Sequence, residues 1–535
     1  IKGLQLSFST VEQLRARAEM LPKGPEWRCK PWITKHPTKA NISLYYRDSL
    51  DCLRALVQSP LTADYIHFTP LRIFETAAKV TRIYNEWRTG DAAWSMQAQL
   101  PEGATLLGVV LSSDKTNLSA MTGGRMAHPL LLSLANLDIS FRMKASNHAY
   151  LLLALLPVPK FIHTDSKICG VLENRLLHEC LDFILEPLKI AARIGVMMSD
   201  ALGSLRYFFT PLASYVVDTP ESAMLAGVGG KTSSVTMASH KTFGDAFQHE
   251  ARTASTTLAQ LQALEEQVDP WDLKAYITAA EVFRFNGVHQ PFWRDWALAE
   301  PSKFLTPEPL HHWHKMFWDH DAKWCIRVVG GAEIDFRFSV LHPHTGFRHF
   351  KEGISKLKQV TGREHRDIQR YIVPIIAGAV PKRFLIAVRA LTDFRYLSQA
   401  PEISDETCIK IQDALAEFHE HKDTIISAGG RTGKKRNVIN NWYIPKLEFM
   451  QSVVPNIRDN GVAMQWSADP TERAHITEIK HPSKSTNNQE YESQICRYLD
   501  RAEKCRRFDL ATAVREASID FRLIDDDPRD EGELQ

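Results

Sequence analysis

The sequence contains no C-x-x-C pair: its eight cysteines stand singly at 29, 52, 169, 180, 325, 408, 496 and 505. That scatter excludes a small disulfide framework and suits reduced thiols of the cytosol or nucleus. Long apolar runs are missing too. The richest, Tyr150–Pro157, stops at a proline, well short of the about 18 residues of a membrane-spanning helix, so a soluble chain is expected. Charge of one sign is absent: 65 Lys and Arg face 63 Asp and Glu, a net charge of +2. Bulk charge therefore announces no nucleic-acid binder, and a DNA partner would have to be met by local positive charge. A complete phosphate-binding loop is lacking as well. Gly230-Lys231-Thr232 has the end of that pattern, but Leu225 stands where its first glycine belongs, and the preceding apolar run already ends at Asp218. A flexible loop is expected there. No secretory or transit signal is readable; the chain begins at Ile1, and a preceding segment is expected.

What is present is ordinary globular material. At 535 residues, 44% hydrophobic and 24% charged, the chain has length for about three or four domain-sized units and a large core. Two local basic stretches exist, Arg431-Thr-Gly-Lys434-Lys435-Arg436 and a helical run through Arg497, Arg501, Lys504, Arg506 and Arg507. Each reads equally well as a solvated loop or helix face.

Hydrophobic periodicity predicts helices over 44–97, from Leu53, Leu56 and Val57 and again from Ile73, Ala77, Val80, Tyr84 and Trp87. The pattern then changes to short apolar runs at 106–111, 129–135 and 150–156, with turn chemistry between them. Leu172, Leu176, Leu177, Cys180, Leu181, Ile184 and Leu188 mark a long amphipathic helix, and Leu212–Val217 reads as a fourth strand. From 235 to 460 the chain is mostly helical and rich in tryptophan, with the strongest helical periods over 362–422; a further helical region follows Pro470.

Acids punctuate this order. Asp114 follows the first strand of the series and Asp218 the fourth. A carboxylate at a strand's C-terminal edge can hold a divalent ion; Asp114 also reads as a loop acid or helix cap, and Asp218 as the cap of a box completed by Glu221. Asp200, after another short apolar run, is an alternative second acid. In Asp469-Pro470-Thr471-Glu472, Asp469 reads as a cap and Glu472 as the third helical residue, with His475 one turn further on the same face. Glu308, His311 and His314 share a helix face in a ligand-dense stretch, but a zinc site would need further donors, and no cysteine stands at suitable spacing.

Leu44-Tyr-Tyr-Arg-Asp48, Tyr84–Asp91, Leu111-Ser-Ser-Asp-Lys-Thr-Asn-Leu-Ser119, Ala127–Asn136 and Tyr215-Val-Val-Asp-Thr-Pro-Glu221 resemble blocks of Plavaka transposases of basidiomycete fungi. Ala377–Pro381, Arg389–Phe394, Ile444–Leu447 and Thr471–Ile476 continue the resemblance in order. That group is allied to the CACTA-type transposases, and the resemblance implies an α/β fold. A ribonuclease-H-like catalytic core would be interrupted by a large, mostly α-helical insertion, with helical N- and C-terminal flanks. On it, 1–100 is a helical N-terminal region, 101–235 the first part of the core, 236–460 the insertion, 461–515 the final catalytic helix and C-terminal helices, and 516–535 an acidic, disordered tail.

The resemblance also implies an Asp-Asp-Glu set, Asp114, Asp218 and Glu472, holding two Mg²⁺ or Mn²⁺ ions for hydrolysis and strand transfer at transposon ends. Double-stranded DNA would be the partner, held by Arg431, Lys434, Lys435 and Arg436, in a nuclear homo-oligomer. The C-x-x-C that related transposases carry after the second acid is replaced here by Gly229-Gly-Lys-Thr-Ser233, and their Asp-x-x-His survives as Glu308-Pro-Leu-His311, a degenerate zinc or insertion motif. These departures put a structural zinc in doubt. The alternatives are a catalytically decayed or domesticated DNA-binding remnant and, less favoured, a metal-dependent nuclease without strand transfer.

Overall fold

The computed structural model describes residues 7–118, 125–358, 360–433, 435, 437–487 and 489–517. Seven of the described strands form one mixed sheet: β1 (Arg28–Trp32), β2 (Ile42–Tyr46), β3 (Val109–Ser113), β4 (Thr116–Asn117), β5 (Met126–Leu134), β6 (Leu151–Leu156) and β7 (Leu212–Val216). Their order is β1-β2-β6-β5-β3-β7, with the short β4 paired to β5. Every pairing is antiparallel except β7 beside β3, which is parallel.

The central strands are apolar on both faces, so both faces must be covered. Alternate residues point opposite ways. Val109, Leu111, Leu130, Leu132 and Leu134 enter one core with α1 (Ser166–Ile194), through Leu172, Leu176, Cys180, Leu181 and Leu188. Val110 and Leu131 enter another, with Trp466, Ile479, Ile495 and Leu499 from the C-terminal helices. Asp165 caps α1 by accepting from the Lys167 amide, and Gly195 ends it at φ 71°, a left-handed value that glycine adopts without penalty.

A β-to-α1-to-β7 connection returns the chain to the sheet beside β3, and α2 (Thr219–Leu225) follows directly. A separate core is built by α3 (Gly362–Ile376), α4 (Lys382–Ser398) and α5 (Asp405–His421), closing on Trp313, Trp318 and Trp324. Inside it Arg395 donates to Asp321 at 2.6 Å, both side chains fully buried. Later come α6 (Asp469–Ala474) and the long α7 (Tyr491–Glu516).

Several expectations change. The helix read over 73–87 is instead a small antiparallel sheet, Ile73–Phe74 with Arg82–Tyr84 and Ile403–Ser404. Its supposed apolar stripe is not buried as one face, for Val80 is 80% exposed whereas Tyr84 and Trp87 are buried. Residues 42–46 are also a strand rather than helix. The run 106–111 is split, Ala104–Leu106 joining a second sheet with Leu205–Phe209 and Val196–Ser199, and only Val109 onward joining the main one. The glycine-rich segment after Gly227 is a loop, as expected, but a packed one. Ser233 Oγ donates at 2.7 Å to the buried carboxylate of Glu448, which Thr236 also contacts. The acidic tail from 518 onward lies outside the described residues.

Candidate metal centre

Asp114 stands one residue beyond β3, and Asp218 two beyond β7. Ser112 pairs in parallel with Val216, so Asp114 and Asp218 both follow their strands at the C-terminal edge of the sheet, where Asp218 acts electrostatically on Asp114 without belonging to the group of converging donors. The third acid arrives from far along the chain: Glu472, on α6, comes with His475 to Asp114. One ligand atom from each of Asp114, Glu472 and His475 lies within 4.8 Å of the others.

Asp218 caps α2, accepting from the Glu221 amide at 3.0 Å. Glu221 does not return the contact as a capping box would. Its carboxylate turns inward to His128 Nε2 at 2.9 Å and to the Ser113 hydroxyl, which also meets the Tyr215 hydroxyl at 2.9 Å. Burial alone would raise the Glu221 carboxyl, but His128 and Ser113 hold it below the ordinary range, so a fixed negative charge sits behind Asp114. Asp114 itself is pushed up to about 7, by burial first and then by Glu221, Glu472 and Asp218. Burial likewise raises Asp218.

Glu308 organises the other side. It caps the π-helical segment Pro309–His314, accepting from the amides of Leu310 at 2.8 Å and His311, and it also accepts from Ala468 at 3.3 Å, the residue before α6. His311 bridges the carboxylates, with Nδ1 3.0 Å from Glu308 and Nε2 3.5 Å from Glu472. Burial opposes a charge on His311, but the two carboxylates prevail and hold its pKa up to about 10. Burial also opposes ionisation of Glu308, and His311 outweighs it, bringing Glu308 down to about 2. His311 likewise keeps Glu472 below the usual range.

The donor set fits a divalent cation. Two carboxylates and an imidazole converge with net negative charge, and the crowding that raises Asp114 is what a cation would relieve. His475 is buried, and burial lowers its pKa so that the neutral, ligating form is favoured. Its Nε2 has no hydrogen-bond partner. Glu308 and His311 stand outside that group among the described residues; His311 meets Glu308 and Glu472 through different ring nitrogens, as an ion-pair bridge and not as one of a converging zinc ligand set.

His475 was visible in the sequence only as a neighbour on the Glu472 helix face, and that i,i+3 spacing was the available signal. The Ser113–Glu221–His128 cluster had no such signal, since two of its members lie in apolar strand contexts and the third resembled the closing residue of a capping box. Asp469 begins α6 rather than capping it, with Ala468 in the cap position. Asp200 is used up in a tight turn, accepting from the Leu202 and Ser204 amides and from Arg206 at 2.8 Å. Arg431 is buried, donating to the Asn441 carbonyl beside the Trp442 ring. Lys435 is exposed, while Lys434 and Arg436 lie outside the described residues.

A mixed α/β scaffold with an acid–imidazole cluster at a sheet edge defines the class: a protein with a group of side chains that could hold a divalent metal ion. The family is identified by sequence. The model of the Plavaka transposase family matches residues 8–325, more than half of the chain, and the chain belongs to that family. The matched span holds Asp114, Asp218, Glu308 and His311, whereas Glu472 and His475 lie beyond it. No curated protein matches the chain. Membership implies a transposase-related function, with DNA as partner and a divalent metal. No helix among the described residues is long and apolar enough to cross a membrane.

Proposed function

We propose that this chain is the transposase of a cut-and-paste DNA transposon, hydrolysing a phosphodiester at the transposon end and joining the freed 3′-hydroxyl to target DNA. The observation that carries the reading is the convergence of Asp114 with Glu472 and His475 within 4.8 Å, at the sheet edge where Asp218 also ends its strand. Three antiparallel strands, a helix and a fourth strand parallel to the first, with acids after the first and fourth, support a ribonuclease-H-like core.

Asp114, Asp218 and Glu472, with His475, would hold Mg²⁺ or Mn²⁺. When bound, such ions supply Lewis-acid activation of water and neutralise charge at the leaving oxygen. The protein's own groups set the geometry. Glu308 ties the segment bearing His311 to the start of α6, and His311 contacts Glu472. Glu221 is kept ionised behind Asp114 by His128. The site would act on nuclear DNA, in an assembly of at least two subunits because two transposon ends must be handled together.

Cleavage of labelled transposon-end DNA with Mg²⁺ or Mn²⁺, comparing the parent with Asp114→Ala, tests this. Metal-dependent cutting that vanishes in the variant is the expected result. Binding without cutting in both proteins would establish the DNA-binding remnant instead, and equal cutting in both would refute the role of Asp114.

A further inference from the structure

The acid cluster creates a difficulty for a phosphodiester substrate. Asp114, Asp218, Glu221, Glu308 and Glu472 are all near it, and a DNA strand adds more negative charge. With a net charge of only +2 on the whole chain, the compensating cations have to be local.

The helical unit provides them. The π-helical segment that bears His311 continues to Lys315, which is exposed. The short helix Pro445–Gln451 packs on the same segment: the rings of Phe449 and His312 stack at 4.6 Å and 14°, and the Glu308 amide donates to His312 Nδ1 at 3.1 Å. That packing brings Lys446 next to the acid site, within electrostatic reach of Lys315, Glu308 and Asp218. Lys315 in turn acts on Asp218. Neither ammonium forms a hydrogen bond or ion pair among the described residues. Asp319, the acid that acts most strongly on Lys446, is already engaged with Lys323 at 3.2 Å.

His365 of α3, only 7% exposed and stacked on Trp318, lies within electrostatic reach of both lysines. Both of its ring nitrogens lack a partner. Burying polar groups without partners is unfavourable, and such groups commonly mark a ligand position. Next to His365, Arg366 reaches Asp469 at 3.6 Å, so the cationic patch abuts α6, the helix of Glu472.

We propose that Lys315 and Lys446, together with His365, form a phosphate-binding groove that holds the DNA backbone against the acid cluster. This assignment rests on the nuclease reading above and names the surface through which the helical unit serves it. It stands beside the expected contacts at Arg431, Lys434, Lys435 and Arg436, of which Arg431 already donates its Nε–H to the Asn441 carbonyl. Burial brings the Lys446 ammonium down to about 8, a desolvation that an arriving phosphate would offset.

The test is the salt dependence of binding to a short fluorescent DNA duplex, with Ca²⁺ held constant as an oxygen-seeking divalent ion. Each lost phosphate contact should flatten the slope of log K against log salt by about 0.9. Lys315→Ala, an exposed change that leaves the fold alone, should lose about one contact, and Lys315→Ala with Lys446→Ala about two. Lys446→Arg should keep the parent slope, as should Lys410→Ala on the outer face of α5. Unchanged slopes in both lysine variants, or an equal loss from Lys410→Ala, would overturn the groove. Cleavage measured in parallel separates the two readings. A flattened slope in a chain that never cuts leaves the groove standing without the nuclease, whereas cutting with unchanged slopes refutes the groove alone.

Discussion

Truncating Glu308 to alanine should both destabilise the protein and loosen its metal site. The side chain is fully buried and faces His311 at 3.0 Å. It accepts from the backbone amides of Leu310, His311 and Ala468. Removing one partner of a buried ion pair costs about 3–5 kcal/mol. Orphaned buried amides cost about 1–3 kcal/mol each, less where water enters the space. A net loss of about 4 kcal/mol is expected, and Glu308→Gln, which keeps the shape and one acceptor, should lose about 1–2 kcal/mol. Urea unfolding followed by tryptophan fluorescence reports it, since Trp313 lies inside the segment Glu308 caps. Because the Ala468 contact fixes the start of α6, Mn²⁺ affinity should fall in the same variant, through displacement of Glu472. A Glu308→Ala protein within about 1 kcal/mol of the parent, with unaltered Mn²⁺ binding, would refute this account.

His475→Ala should weaken Mn²⁺ binding at least tenfold in calorimetry while changing the melting temperature little; undiminished affinity would remove His475 from the ligand set. Asp321→Ala should cost about 3–5 kcal/mol by stranding Arg395 in the core of the helical unit, and a loss below about 1 kcal/mol would contradict the buried pairing. Acid should destabilise the chain between pH 6.5 and 4. His178 is buried, with Nε2 directed to the Met224 carbonyl and Nδ1 accepting from the Phe292 amide, and burial takes its pKa down to about 4. Its folded pKa lies below the unfolded one, so its stabilisation is complete above about pH 6.5 and is lost as pH falls towards 4, up to about 3 kcal/mol. Thermal melts across that window should show the decline, and His178→Gln should flatten it.

Much of the scaffold could be read along the chain. The apolar strands, the helix through Leu172 to Leu188 and the helical periods of 362–422 follow from local patterning, because a buried strand or an amphipathic helix must place its apolar residues at fixed intervals. The misread stretch, 73–87, shows the limit of that rule. Its residues recur at helical spacing, yet Val80 is in solvent and Tyr84 in a core, and pairing with the distant Ile403–Ser404 decided for strand. Tertiary partners outweigh weak local preference.

The candidate site divides in the same way. Asp114 and Asp218 stood out because strand ends are marked locally by the change from apolar to turn residues, and parallel pairing of their strands then brought both to one edge of the sheet. By itself the sequence determined the strands, the long helix and two acids at strand ends, since each depends on residues only a few positions apart. The tertiary structure alone decided that Glu472 and His475 meet Asp114, that Glu221 faces His128, and that Lys446 comes within electrostatic reach of Asp218. These are contacts between elements far apart in the chain, and no local spacing encodes a distance set by packing.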